Sequence, residues 1–128
     1  MKGEFSTGEP SNGHKRRVLI ATAKGDPTLP SLLLFAHPDS ENVKNVEKWN
    51  SDPFAPVSNN GKLFGWGVAD DLAGCACAVE AIKVTLDRKK VALGDIIFAS
   101  TPSKSYARGV ASILHRGLTA DASLYLHP

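Results

Sequence analysis

The sequence lacks the features that mark several large classes of protein. No apolar run in the 128 residues approaches the roughly 20 needed to cross a bilayer, so no membrane association is expected. The first residues, Met1–Gly13, are polar and rich in Gly and Ser, which is not typical of a secretory signal. The formal net charge is only +2, and the basic run His14–Arg17 is typical of a solvated surface, so no nucleic-acid partner is expected.

Cysteine is almost absent. The two cysteines, Cys75 and Cys77, lie two positions apart in a segment of helical character, so their side chains point to different sides. This spacing argues against an intrachain disulfide and against a shared metal ion. We expect both to be small buried residues of a protein in a reducing compartment, and therefore a cytoplasmic location.

The remaining composition, with 42% apolar and 22% charged residues, is that of an ordinary globular protein. A chain of 128 residues is long enough for at most one domain with a modest core. We predict a flexible N-terminal arm over residues 1–16, loose or a frayed strand, and one α/β domain over residues 17–128.

Short apolar runs bounded by turn-forming residues predict the strands of this domain. The predicted strands are Arg17–Ala23, Leu32–Ala36, Asp95–Ser100 and Ala122–Leu126. Only a short turn separates the first two strands, which predicts that they pair antiparallel. Helices are predicted over Ala73–Lys89 and Tyr106–Arg116, and the strand–helix–strand order implies a right-handed crossover. The irregular stretch Ser40–Lys62 predicts a long loop that packs through Trp49 and Phe54.

Polar residues follow three of the apolar strands at the points where the strands end. His37 and Asp39 follow the second strand, the segment Thr101–Ser105 follows the third, and His127 ends the fourth. Asp70 precedes the helix between two of these strands. Because the carboxyl ends of parallel strands meet at one edge of a sheet, these groups are expected to converge. A convergence of His and Asp side chains indicates a site of the zinc type.

A structural interpretation is also open for each of these residues. His37 can cap its strand while Asp39 begins a turn, although an imidazole ligand also commonly passes its other N–H to a carboxylate. Asp70 and Asp71 can stabilise the start of the following helix through its dipole. His115 lies in the last turn of a predicted helix, where it complements the dipole, and we assign no function to it.

Five segments of the sequence form an ordered pattern. They are LLLFAHPDS, WNSDPFAP, GKLFGWGVADDLAG, LGDIIFAS and RGLTADASLYLHP. In the same order, they resemble five segments of one family. The first two are its His-x-Asp strand and its loop with Trp and Asp-Pro-Phe, and the third is its Gly-Arg-Gly-x-x-Asp-x-Lys-Gly segment. The fourth is the strand before its paired glutamates, and the fifth runs from Arg-Gly-x-x-Asp-Ala to Gly-Glu-Pro. This family is the metallopeptidase and amidohydrolase family of acetylornithine deacetylase, succinyl-diaminopimelate desuccinylase, aminoacylase and carboxypeptidase G. The resemblance covers residues 17–128.

The resemblance implies a three-layer αβα fold with a mixed, mostly parallel sheet, here as part of a zinc-peptidase-like catalytic domain. It implies hydrolysis of the amide bond of an N-acyl amino acid or small peptide by a metal-bound water that a glutamate base activates. His37 would be a metal ligand, and Asp39 would orient its ring as part of the catalytic machinery. Asp70 would be the carboxylate that bridges two metal ions.

The sequence departs from the family pattern at several positions that carry the chemistry. The paired glutamates, a general base and a metal ligand, fall near Ser103 and Lys104, and neither residue is acidic. The glutamate of Gly-Glu-Pro is replaced by His127. Trp66 stands where the family has Arg, and Leu72 stands where it has Lys. The loss of the paired glutamates removes two negative charges, so a second metal ion is less favoured than one.

We therefore expect a single divalent ion, zinc or alternatively cobalt or manganese. Its expected ligands are His37, Asp70 and His127. Residues expected to line the site are Asp71, Ser103 and Lys104. Lys104 is expected to replace some of the charge of the missing second cation.

The family's C-terminal His ligand, its dimerisation domain and its first helix have no match here. The resemblance thus leads us to expect a segment of a longer protein or a truncated gene product, homodimeric at full length. The leading hypothesis is a metal-dependent hydrolase of an N-acyl amino acid or small peptide. The alternatives are a degenerate family member that binds metal or ligand without hydrolysis, and a partial α/β domain with an incomplete core.

Overall fold

The four apolar runs that predict strands all form strands, within two residues of the predicted bounds. The structure, a computed structural model, describes residues 2–7, 17–88 and 93–128. The elements in chain order are β1 (Lys2–Thr7), β2 (Arg17–Ala23), β3 (Leu32–Ala36), β4 (Val57–Asn59), β5 (Lys62–Phe64), α1 (Ala73–Asp87), β6 (Ile96–Ser100), α2 (Arg108–His115) and β7 (Ala122–Tyr125).

Five of the strands form one sheet in the order β1-β2-β6-β3-β7, and β4 pairs with β5 in a separate hairpin. Four strands of the sheet run in one direction, and β2 runs against them. Helix α1 covers one face, with Ala78 and Ile82 packed against Leu34 and Phe98. Helix α2 lies with Ile113 in the apolar cluster of the other face. The predicted three-layer fold with a mixed, mostly parallel sheet is confirmed.

The prediction that β2 and β3 pair as an antiparallel hairpin is wrong. Strand β6 lies between them, antiparallel to β2 and parallel to β3. The physical reason is that β3 and β6 are apolar on both faces, and such strands gain most when neighbours and helices cover them on all sides. The chain between β2 and β3 therefore spans the start of β6, where the Asp26 N–H donates to the Leu93 carbonyl at 2.7 Å.

Three side chains lie differently from the sequence prediction or only partly as predicted. Both cysteines are free, as predicted, and Cys75 packs against the core. Cys77 is exposed, because residues two apart on a helix face different sides, so its predicted burial is wrong. Within the long loop Trp49 packs against Trp66, but Phe54 is 71% exposed, which contradicts its predicted packing. The Asp52 carboxylate accepts the N–H of Phe54 and fixes a local turn instead.

Some predictions fall on the ends of elements. The structure forms a strand over Lys2–Thr7, within the stretch that the sequence assigns to an arm or a frayed strand, and pairs it with β2. The basic residues 14–16 and the predicted helix end at Lys89 lie outside the described residues. Among the helices that the structure describes, none has the length and apolar character that crossing a membrane requires.

Candidate metal centre

The carboxyl ends of β3, β6 and β7 meet at one edge of the sheet. Ala36 aligns with Ser100, and Phe35 aligns with Tyr125, so the residues that follow each strand emerge side by side. His37 and His127 are brought together here, with their ring centres 5.8 Å apart. The predicted convergence of strand ends therefore occurs, and it follows from parallel pairing.

His37 is fixed from two sides. Its backbone N–H donates to Asp71 Oδ2 at 3.2 Å, and its ring Nδ1 lies 2.9 Å from the carbonyl oxygen of Asp39. The side chain is only 2% exposed, and Nε2 lies 3.0 Å from Asp70 Oδ1. When the proton is on Nδ1 and donates to the Asp39 carbonyl, the Nε2 lone pair faces Asp70. This is the tautomer that a metal-binding imidazole requires.

His127 repeats this arrangement from the neighbouring strand. Its Nδ1 lies 2.9 Å from the carbonyl oxygen of Pro128, and its Nε2 lies 3.4 Å from Asp70 Oδ1. The ring is partly exposed and lies beside Tyr125, with 5.1 Å between the ring centres. Two imidazoles thus direct the same nitrogen toward one carboxylate oxygen.

Asp70 lies in the turn Val68–Leu72 just before α1, and its backbone is extended at φ −129° and ψ 87°. The peptide bond between Asp70 and Asp71 is cis. The residue before α1, Leu72, provides no side-chain cap. Asp70 instead lies against both imidazoles, through its Oδ1 atom.

The three ligand atoms, one each from His37, Asp70 and His127, lie within 4.8 Å of one another. In a tetrahedral zinc site with bonds of 2.0–2.1 Å, neighbouring ligand atoms are about 3.3 Å apart. The two imidazole–carboxylate distances given above lie close to that value. His37 Nε2 and Asp70 Oδ1 are buried, and neither has a well-formed hydrogen bond within the described ranges. Two atoms with lone pairs that face each other without a hydrogen bond fit a cation between them. A ligand set of two nitrogens and one oxygen suits zinc.

The second oxygen of Asp70 has a different partner. Lys104 donates its Nζ hydrogen to Asp70 Oδ2 in an ion pair. The hydrogen bond from the Lys104 ammonium lowers the pKa of the Asp70 carboxyl below its ordinary value, and the same bond raises the pKa of Lys104. Lys104, which the sequence predicts to line the site, is thus in direct contact with the Asp70 carboxylate.

Asp39 fixes the turn that carries Lys104. Its Oδ2 accepts the backbone N–H of Ser103 at 2.8 Å and that of Lys104 at 3.3 Å. Its Oδ1 lies 3.9 Å from His37 Nδ1, so the carbonyl of Asp39 rather than its carboxylate receives the imidazole hydrogen bond. Ser103 is buried, with a left-handed φ of 79°. Asp39 therefore links the histidine loop to the segment that would carry the family's paired glutamates.

Asp71 contacts the backbone of His37 and does not belong to the group of candidate ligand atoms. It is 1% exposed, and it accepts the His37 backbone N–H. A Cβ on Gly74 would lie 2.1 Å from Asp71 Oδ1 and 2.8 Å from the Leu126 carbonyl. The glycine is the one sequence signal for this role, because it leaves space for a buried carboxylate against the helix.

A cavity of about 420 Å³ adjoins the ligand atoms, with Asp70 and Lys104 on its wall. Trp49 and Trp66 line it, and their rings meet edge to face at 5.7 Å. The indole N–H of Trp66 donates to the Glu41 carbonyl at 2.7 Å. The sequence marked Trp66 only as a departure from the family's Arg, and its place in the cavity wall comes from the structure.

Solved structures define the class to which this fold belongs. A M20 family metallo-carboxypeptidase from Sulfolobus solfataricus aligns with a TM-score of 0.74 and 19% identity, over 93% of this chain and 27% of the other. Human carnosine dipeptidase 1 aligns with a TM-score of 0.73 and 16% identity, over 96% of this chain and 29% of the other. The fold is that of part of an M20 metallopeptidase catalytic domain.

The sequence pattern of peptidase family M20/M25/M40 matches residues 33–127. The chain belongs to this family, and the resemblance carried by its five motifs is confirmed.

The curated relatives include proteins named as a deformylase and a desuccinylase. A Bacillus subtilis (strain 168) protein named N-formyl-4-amino-5-aminomethyl-2-methylpyrimidine deformylase is 34% identical over 95 residues, which cover 73% of this chain and 22% of that protein. A succinyl-diaminopimelate desuccinylase of Leptothrix cholodnii is 34% identical over 83 residues, covering 65% of this chain and 22% of the relative. The chain therefore spans less than a quarter of the length of these relatives.

Proposed function

We propose that this chain supplies the metal-binding half of the active site of a hydrolase that cleaves an amide bond in an N-acyl amino acid or small peptide. The observation that supports this most strongly is the pair of imidazole Nε2 atoms beside one oxygen of Asp70. We further propose that the ion is zinc, with cobalt or manganese as alternatives, because two nitrogens and one oxygen form a borderline donor set.

The residues present fit a divalent ion, held by His37, Asp70 and His127. When bound, such an ion would supply Lewis acidity toward a carbonyl oxygen and lower the pKa of a coordinated water. The chain's own contribution is to keep both Nδ1 atoms on backbone carbonyls, so that both Nε2 atoms stay available. Asp71 holds the backbone of His37, and Asp39 holds the turn at Ser103.

The substrate class is supported by the relatives and by the cavity. The two relatives described above are named for the removal of a formyl and a succinyl group, both small acyl groups on nitrogen. A cavity of about 420 Å³ between Trp66 and Asp70 is large enough for a group of that kind. A cytoplasmic location and a homodimer at full length stay predictions.

The test uses the natural protein that contains this chain. It is stripped of metal, reloaded with zinc, cobalt or manganese, and assayed for amine release from N-formyl, N-acetyl and N-succinyl amino acids and from dipeptides. We expect hydrolysis only after reloading. The absence of both metal above background and turnover on any substrate would overturn the proposal.

A second function is favoured by one observation, namely that neither Ser103 nor Lys104 is acidic. A protein without the general base would bind metal or an acyl amino acid and leave the amide bond intact. The double variant Ser103→Glu with Lys104→Glu distinguishes the two. A gain of about 10²–10⁴-fold over an inactive parent would favour the degenerate enzyme, since that is the usual contribution of a general base. Activity already present in the parent would refute it.

A further inference from the structure

We infer that Lys104 takes the place of a second metal ion, so that the centre is built for one divalent ion and one fixed ammonium group. This inference rests on the proposed function only for the first ion. It goes further by assigning a side chain of this protein to the second cation position.

The two oxygens of the Asp70 carboxylate have different partners. Its Oδ1 lies 3.0 Å from His37 Nε2 and 3.4 Å from His127 Nε2, whereas its Oδ2 receives the Lys104 ammonium. A carboxylate that bridges two metal ions offers one oxygen to each. Here the second oxygen is already bonded to a cation that belongs to the chain.

Lys104 is held in this position by its surroundings. Its backbone N–H and that of Ser103 both donate to Asp39 Oδ2, at 3.3 Å and 2.8 Å. Lys104 then opens the short turn Lys104–Tyr106, and its side chain is 32% exposed. Both ends of Lys104 are therefore held, the backbone by Asp39 and the ammonium by Asp70.

The charge of the ligand set disfavours a second divalent ion. Two neutral imidazoles and one carboxylate bring a single negative charge, which one divalent ion already exceeds. A second divalent ion beside Lys104 would add repulsion without any further acidic ligand at Ser103 or Lys104. The ammonium therefore opposes a second ion and also weakens the binding of the first.

The inference predicts the direction of one substitution. A unit charge about 6 Å from a divalent ion changes the affinity for that ion by about tenfold, even in the dielectric of water. Lys104→Met should therefore bind zinc about tenfold more tightly, while Lys104→Arg, which keeps the charge, should bind it as the parent does. Lys24→Met is the matched control, since Lys24 also pairs with an aspartate, Asp95, at 2.6 Å.

The experiment is calorimetric titration of the metal-free natural protein with zinc, with elemental analysis of the dialysed product. Thermal unfolding of each variant verifies that it is folded. We expect one ion in the parent, with tighter binding only in Lys104→Met. Two ions in the parent, or equal affinity in Lys104→Met and Lys24→Met, would overturn the inference and leave the proposed function standing. No ion in any protein would overturn both.

Discussion

The two oxygens of the Asp70 carboxylate lie in different surroundings. On one side are two imidazoles whose other nitrogens are fixed by backbone carbonyls, and one of these rings is almost fully buried. On the other side is the ammonium of Lys104, on a turn that Asp39 fixes. The first side has the donors of a metal site, whereas the second already contains a cation.

Under the proposed function, the groups that would bind the metal and the segment that would carry the general base lie on different elements of the fold. The imidazoles are placed by β3 and β7, which are neighbouring parallel strands. The lysine is placed by the loop after β6. Each side of the carboxylate can therefore be tested on its own.

The largest effect is expected on the imidazole side. His127→Ala removes one of the three proposed ligands from a partly exposed position, so the fold should persist. Zinc affinity should fall by at least about 100-fold, more than on the loss of a group that only supports a ligand. Calorimetric titration measures this change. His115→Ala, in the last turn of α2, is the control and should bind zinc as the parent does. Equal affinity in the two variants would contradict the assigned ligand set.

A substitution in α2 should disturb the lysine side alone. A Cβ on Gly109 would lie 2.5 Å from the Pro102 carbonyl oxygen and 2.8 Å from the carbonyl carbon of Thr101, so the segment leading to Lys104 must shift. We expect Gly109→Ala to lower the free energy of unfolding by about 1–3 kcal/mol, as overpacking usually does.

Urea unfolding measures this cost, and Ser112→Ala in the same helix is the control. Zinc should still bind to the Gly109→Ala protein, because the imidazoles lie on other strands. A loss of zinc binding as large as that of His127→Ala would show that the two sides are not separable.

A smaller effect is expected in the cavity wall. Trp66→Phe keeps an aromatic ring but removes the indole N–H that donates to the Glu41 carbonyl at 2.7 Å. A neutral hydrogen bond of this kind contributes about 0.5–1.5 kcal/mol, so thermal unfolding should show a modest decrease in stability. Zinc affinity should not change. An unchanged melting temperature would mean that water replaces the indole N–H as the donor to the Glu41 carbonyl without cost.

The smallest effect is expected at the opposite, amino ends of β3 and β7, which Asp121 joins. The Ser31 backbone N–H, at 2.7 Å, and then the Ser31 hydroxyl lower the pKa of the Asp121 carboxyl. A carboxyl with a lower pKa in the folded state adds stability above its unfolded value of about 3.9, and that stability is lost as the pH falls through the folded pKa.

Asp121→Asn should therefore be slightly less stable than the parent at neutral pH, and the two should converge in acid. Unfolding at a series of pH values measures the difference. A gap that widens as the pH falls would contradict the assigned hydrogen bonds.

Much of the fold follows from the sequence because apolar runs mark strands that are buried on both faces. The same runs do not encode strand order, and so the local turn after β2 suggested a hairpin that β6 in fact interrupts. Order depends on which strands best cover one another in three dimensions, and this lies beyond any local pattern.

The candidate site was predictable where chain direction decides it. His37 and His127 end parallel strands, so their convergence follows from topology. The contact between Lys104 and Asp70 depends on the left-handed backbone of Ser103. The sequence does not predict this conformation, because the residue is not a glycine. The burial of Asp71 depends on the space that Gly74 leaves. The sequence alone does not distinguish which of the two adjacent aspartates, Asp70 or Asp71, lies against the imidazoles.

The most direct measurement is anomalous diffraction from crystals of the natural protein grown with zinc, with data collected on both sides of the zinc absorption edge. We expect one peak within bonding distance of His37 Nε2, Asp70 Oδ1 and His127 Nε2, with the Lys104 ammonium still on Asp70 Oδ2. A second peak at Oδ2, with Lys104 displaced, would contradict the difference between the two sides of the carboxylate. The absence of any peak at Asp70 would contradict the metal centre itself.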